Sequence, residues 1–590
     1  INESLVELAM GKPETVASRV QSVSTEQPKL LDADEILQLR DSLTEGLLNK
    51  SYGEVLECLQ DGMTYSQLNS NASHAIQWNE KEQQFVQQAL ARDKNNAKDR
   101  TRDYLLLTLY LPHHLIPFTP DLEFMPDGLL STILSRYLEK IPGFLAQADM
   151  NQKSIGLQDS LSYLAQRTRV DPHSEQTSRL AQLVLELGMP AALINQPGDP
   201  LQKTLQDRAT VFKYVLRQHL NIEDTDTPKQ GSGRIGILCS HMGQGDTSTY
   251  AIALLEGLKS LGVKCDLICD SASSSQLQKL AEDLADRTVL LPQGITESSQ
   301  LIQSLNLDVL VYTDALHNSD APPFLLAMQR LAPIQVAVAS TLTTTGIDTI
   351  DHIVVGDNWL DTNSNSANEF VENVIRAEQL GSAYLVELPP NEENDAPARD
   401  ELGLAPDDCL FVSAADVNTI TPEVRTTWVQ LLAECPGSKL LLVPFTNPYS
   451  EEAQRTTIVT LFEMEAEAAG VDKSRLLILT DIVPTIMGAV SYIVLGDVYL
   501  EAFPCNTPLP AVKAAEAGLP VVTTPGTVLR ERITGGILSE QGLEQLLASD
   551  LDEYKAKALE FAEAKPVVKI QGHSLEPLAQ SIMNLLPKES

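Results

Sequence analysis

LEAFPCNTPLPAVKAAEAGLPVVTTPG, residues 500–526, reads as a strand end, a tight polar loop, a helix and a second strand. Two short strands joined through a helix pair in parallel, so this stretch alone asks for a wound α/β sheet. Working outward, CLFVSAA, KLLLVPF, RLLILTD and SYIVLGDVYL precede it as apolar β-rich runs. An earlier set, RIGILCS, VKCDLICD, RTVLLP, DVLVYT, IQVAVAS and DHIVVG, alternates with helical stretches such as TYAIALLEGLKSLG and FLLAMQRL. The expected class is therefore α/β, with two consecutive Rossmann-like doubly wound lobes.

Before these lobes the pattern changes. GLLSTILSRYLEKI and TSRLAQLVLELGM space their apolar residues by three and four, so residues 1–222 are expected to form an all-helical N-terminal domain. No 34-residue repeat recurs in it, which argues against a regular solenoid. The expected boundaries are a helical domain at 1–222, a linker at 223–233, a first lobe at 234–386, a second Pro-rich linker at 387–406, a second lobe at 407–535 and C-terminal helices at 536–590. The helical tail could cap either lobe.

The chain has 590 residues, 43% of them hydrophobic, and a formal net charge of -37. That charge argues against nucleic acid and anionic membrane surfaces, which are bound through Lys and Arg, and any phosphate ligand needs a local positive patch. Seven scattered cysteines without a C-x-x-C pair indicate neither a disulfide framework nor a zinc site, and Cys265 and Cys269 read as buried thiols. The longest apolar run, LLLTLYLPHHLIPF, is interrupted by Pro112, His113 and His114, so no transmembrane segment is expected. His113 and His114 read as a loop feature rather than a metal site. The opening INESLVELAMGK lacks a basic-then-apolar signal pattern, which favours a cytoplasmic location.

Four blocks occur in a telling order: RIGILCSHMGQGDTST, LAPIQVAVASTLTTTGIDTIDHIVVGD, CLFVSAADVNTITPEVRTTWVQLLAECPGSKLLLVPF and LEAFPCNTPLPAVKAAEAGLPVVTTPGTVLRERI. Together they resemble the catalytic half of the O-GlcNAc transferases and the bacterial adhesin N-glucosyltransferases, over residues 234 to about 535. The resemblance implies a GT-B fold, a UDP-sugar donor held mainly by the C-terminal lobe, no cofactor or metal, and inverting transfer to a side chain of an acceptor protein.

It also exposes departures. Where the family has His-Thr-Thr and, three residues on, Asp at the start of a helix, this chain has Pro508, Leu509, Pro510 and Lys513. Where the family has Gln and then Lys, the residues are Asp416 and Thr419, with Pro422 kept. A family His falls at Gly245, but Thr247 and Ser248 keep the hydroxyl pair. His317 lies close to a second family His and is the candidate catalytic residue, weighed against a plain loop histidine. Thr344, Thr345 and Gly346 survive in a turn that has lost its usual Pro and Gly to Leu342 and Thr343. Candidate donor contacts are thus Thr247, Ser248, Thr344, Thr345, Thr419, Asn506, Thr507, Lys513 and Arg532. Lys513, placed in the first turn of its helix, is either a substitute phosphate ligand or structural, and Arg530 and Arg532 read as surface helix charges or anion ligands.

Two functions stay open. One is a pseudo-glycosyltransferase, a binding or assembly component with a protein partner inside a larger complex. The other is an active UDP-sugar-dependent transferase with altered donor ligands.

Overall fold

The computed structural model describes residues 34–38, 40–42, 77–111, 115–125, 127–138, 147–187, 201–222, 228, 233–243, 245–270, 276–317, 322–360, 369–388, 398–405, 408–446, 452–572 and 574–587. His113, His114 and most of the 223–233 linker lie outside them. The chain divides into two compact units: residues 1–140, 146–190 and 207–222 form one, and 141–145, 191–206 and 223–590 the other.

The first unit is helical. Its helices include Glu80–Ala91, Ala97–Leu107, Asp127–Leu138, Gln147–Val170 and Glu175–Leu187. Asn79 opens the first of these with a reciprocal capping box, its side chain taking the Glu82 N–H while Glu82 takes the Asn79 N–H. Glu82 also meets the buried Arg40 guanidinium at 2.8 Å, so one carboxylate both caps a helix and neutralises a core cation. Tyr104 and Tyr137 share a buried hydroxyl–hydroxyl hydrogen bond of 2.8 Å.

The second unit holds two parallel sheets. The first is built from β1 (Arg234–Leu238), β2 (Lys264–Cys269), β3 (Arg287–Leu290), β4 (Val309–Tyr312), β5 (Ile334–Val338), β6 (His352–Gly356) and β7 (Asn373–Ala377). Their order is β3-β2-β1-β4-β5-β6-β7, and every pairing is parallel. The second comprises β8 (Cys409–Ser413), β9 (Ser438–Leu442), β10 (Leu476–Ile478), β11 (Val498–Leu500) and β12 (Val521–Val522), ordered β10-β9-β8-β11-β12. The winding reverses between β1 and β4 in one lobe and between β8 and β11 in the other. In open parallel sheets those switch points are where ligands sit, beyond the C-terminal strand ends.

The two lobes match the expected class, with local differences. SYIVLGDVYL does not run as one strand: Ile486–Ile493 is helical and the strand begins only at Val498. Thr485 starts that helix by accepting the Gly488 N–H, and a short apolar run cannot by itself tell a buried helix from a buried strand. NVIRA, unremarked in the sequence, adds β7 at the sheet edge. The tail serves both lobes. Helix Leu551–Ala564 lies on the C-terminal lobe, where the Tyr554 hydroxyl donates to Glu501 O and accepts from Trp428 Nε1. Helix Glu576–Met583 crosses to the N-terminal lobe and packs on helix Asp246–Ser260 at Gly257, where a Cβ would stand 2.8 Å from Ala579 Cβ.

Candidate functional site

In the C-terminal lobe the switch-point crevice is bounded by three loops: 414–421 after β8, 501–507 after β11 and 523–532 after β12. Helix Pro508–Glu516 starts at its edge. A helix start normally presents four free N–H groups to an anion. Here Pro508 and Pro510 carry none, and Thr507 at the N-cap makes no side-chain cap. The residues around this start are carboxylic rather than basic. Glu501 is fully buried, accepts from the Thr534 hydroxyl at 2.5 Å, and is pushed up to about 7 by burial, against the pull of Thr523, Thr534 and the Thr507 N–H.

Asp416, also raised by burial, spends its carboxylate on Asn418 N and Nδ2, both at 2.9 Å. Arg530 is the buried cation of the group, but it is 1% exposed and stands close to Glu369, whose pKa burial pushes up to about 7. Glu531 accepts the Thr527 N–H at 2.8 Å and shapes the turn leading to Arg530. The Cys505 thiol lies in the middle: burial pushes it up to about 12, with Arg530 opposing and Glu531, Glu501 and Asp416 reinforcing. Burial thus raises Glu501, Asp416 and Glu369, while the Arg530 guanidinium is itself sequestered, a setting ill suited to gathering phosphate.

Some polar groups here are unsatisfied. Asn506 is 3% exposed and neither its Oδ1 nor its Nδ2 has a hydrogen-bond partner; the Thr507 hydroxyl has none either. Buried amides almost always find partners, so such atoms mark places where water or a ligand can be received.

On the N-terminal lobe the strand ends are tied to one another. Asp314 accepts Ser240 N at 2.8 Å and Ser240 Oγ at 2.6 Å, joining the loops after β1 and β4, and burial pushes it up to about 6. His317 is 8% exposed, and its Nδ1 accepts the Leu342 N–H at 3.3 Å, which orients the ring against the loop after β5.

Residues 343–575 match the model of glycosyl transferase family 41. The probable UDP-N-acetylglucosamine–peptide N-acetylglucosaminyltransferase SEC of Arabidopsis thaliana is 27% identical over 310 residues, 49% of this chain and 28% of that protein. Over about half its length the chain is O-GlcNAc transferase-like. A similarly named transferase, SPINDLY of Hordeum vulgare, is 29% identical over 260 residues, 44% of this chain and 25% of that protein. The matched stretches span less than a third of the length of these curated relatives. Among solved structures, an O-GlcNAc transferase mutant of Thermobaculum terrenum covers 93% of both chains at 17% identity, with a TM-score of 0.48.

In this O-GlcNAc transferase-like chain the sequence-derived donor contacts are dispersed. Lys513 does not lie in the first turn of its helix: the helix ends at Glu516, which puts Lys513 in the last turn. Its Nζ is 2.7 Å from Glu516 Oε2 and 3.3 Å from Val386 O. Thr344 Oγ1 donates to Glu372 Oε2 at 2.7 Å, and Thr345 gives both its hydroxyl and its N–H to Glu372 Oε1. Thr419 Oγ1 donates to Asp416 O at 2.7 Å. Ser248 is buried with Oγ 3.3 Å from His241 O, and Thr247 sits half-buried in the first turn of Asp246–Ser260.

Arg530 and Arg532 are not surface helix charges. The chain turns there through a short 3-10 segment that buries Arg530, and Arg532, half-buried, donates Nη1 to Gly526 O at 2.7 Å while its Nε has no partner. Of the predicted contacts, Asn506, Thr507 and Arg532 keep unused polar atoms. The acids Glu501, Glu369 and Glu531 were missed. Only Glu501 carries a local signal, a charged residue placed directly after the apolar strand end VYL.

Proposed function

We propose that this O-GlcNAc transferase-like chain keeps the two lobes as a binding or assembly component and does not transfer sugar. One observation carries the reading: the start of helix Pro508–Glu516 lacks two of its N–H donors, and Lys513, the cation nearest in sequence, is held by Glu516 and Val386 O. A departing diphosphate needs donors aimed at its developing charge, and losing one such donor costs roughly 2.7–4 kcal/mol of barrier. Glu501, Asp416 and Glu369 nearby supply charge of the wrong sign whenever they ionise. The curated relatives are named as peptide transferases, which makes a protein surface the class of partner that suits the retained lobes.

The unpartnered side-chain polar atoms of Asn506 and Thr507 favour the second reading, an active transferase with altered donor ligands in which His317 and Arg532 take part. A transfer assay separates the two. The protein is incubated with radiolabelled UDP-N-acetylglucosamine or UDP-glucose and a mixture of unfolded acceptor proteins. The proposal expects incorporation at the level of a blank; incorporation that disappears in His317→Ala overturns it.

A further inference from the structure

A groove of about 630 Å³ opens on the N-terminal lobe, away from the strand-end crevices. Its walls are helix Asp246–Ser260, helix Gln276–Leu284 and the segment 382–388 that leads out of the lobe, with Gly572 and Leu575 at one end. Leu280, Leu284, Leu385 and Leu388 make it largely apolar. It is open to solvent: Leu280 is 37% exposed and Glu256 is exposed on the adjacent helix. The charged residues lining it, Glu256 and Glu387, are both acidic and both exposed.

Lys513 holds one wall of this groove. Lys513 Nζ lies 3.3 Å from Val386 O and pairs with Glu516, so it fastens the groove's wall from behind. The close approach of Gly257 to Leu575 O, where a Cβ would stand 2.9 Å away, fixes the other wall.

We propose that the groove docks the apolar face of an amphipathic helix from a partner protein, one whose flanks carry lysine or arginine. Leucine-lined channels between helices receive helical segments through anchors at three- and four-residue spacing, and two glutamates at the rim select a basic flank and repel an acidic one. The chain's own continuation after Leu388, PPNEENDAP, is acidic and is disfavoured by the same glutamates. The proposal rests on the reading of the lobes as a binding component, but it is read out without nucleotide or sugar transfer.

The probe is a fluorescein-labelled designed helix with leucines along one face and lysines on both flanks, titrated with the full chain and followed by anisotropy. Saturable binding is expected, weakened at least about tenfold by Leu280→Arg and by Glu256→Lys, the second at an exposed position where the change is expected to leave the fold intact. Met464→Arg, at an exposed apolar residue elsewhere, is expected to bind as the parent does. Equal weakening by Met464→Arg, or equal binding of a counterpart with glutamates in place of the lysines, overturns the proposal. So does concentration-dependent self-association abolished by Leu280→Arg, which would make a second copy the occupant. Tightening of about tenfold on deletion of residues 391–396 would assign the groove to the chain's own segment and overturns it as well. Loss of helix binding with nucleotide binding absent would leave the proposed function standing and remove only this inference.

Discussion

Glu501 concentrates the chemistry of the crevice in one carboxyl group. It is fully buried at the end of β11, and its folded pKa is raised from 4.5 to about 7. An acid raised on folding contributes most below its unfolded pKa, and stability is lost as pH rises from about 4.5 to about 7. Glu501→Gln keeps the oxygen that accepts from Thr534 and removes the ionisation. It is expected to stabilise the protein by about 1–3 kcal/mol at pH 8 and to have little effect near pH 4.5, measured by thermal melts at both pH values. An equal shift at the two pH values would contradict the assignment. Nothing local in the sequence reveals this shift, since the groups that meet Glu501, namely Thr523, Thr534 and Tyr554, are distant in the chain. The same limit applies to Thr344 and Thr345. As a sequence they read as a hydroxyl pair ready for a ligand, but Glu372, 28 residues beyond Thr344, takes both.

The elements were more legible than their contents. Apolar strands separated by amphipathic helices are a periodic signal, and eleven of the twelve strands among the described residues lie in runs read as strands. The exceptions follow from physics: NVIRA has one arginine and one asparagine in five residues, and IMGAVSYI is apolar on every side, which leaves helix and strand undecided. Helix Pro508–Glu516 shows how an element can persist while its ligands change. Proline is tolerated in a first turn because its missing N–H has no intrahelical partner there, so the helix forms while its anion-binding donors vanish. Lys513 has become a fastener between this helix and the segment 382–388. Lys513→Ala is expected to cost about 1–2 kcal/mol in denaturant unfolding through the lost bonds to Val386 O and Glu516, and to leave any nucleotide affinity unchanged. A loss of nucleotide affinity without loss of stability would return Lys513 to the donor site.

At the scale of the second unit, the tail ties the two lobes into one structure. Leu551–Ala564 is bound to the C-terminal lobe through Tyr554, and Glu576–Met583 lies on the N-terminal lobe over Gly257. Gly257→Val places methyl groups where Ala579 and Leu575 already stand and is expected to destabilise by about 1–3 kcal/mol, with new proteolytic cleavage between residues 565 and 575. Unchanged stability and cleavage would show that this crossing contributes little. The same lobes, in a chain of net charge -37, surround a crevice of buried acids where an O-GlcNAc transferase-like sequence leads one to expect phosphate ligands. Isothermal titration of the full chain with UDP tests that most directly. No saturable heat is expected up to about millimolar nucleotide, which places any binding weaker than roughly -4 kcal/mol. Saturable binding in the micromolar range, abolished by Arg532→Ala, would contradict it.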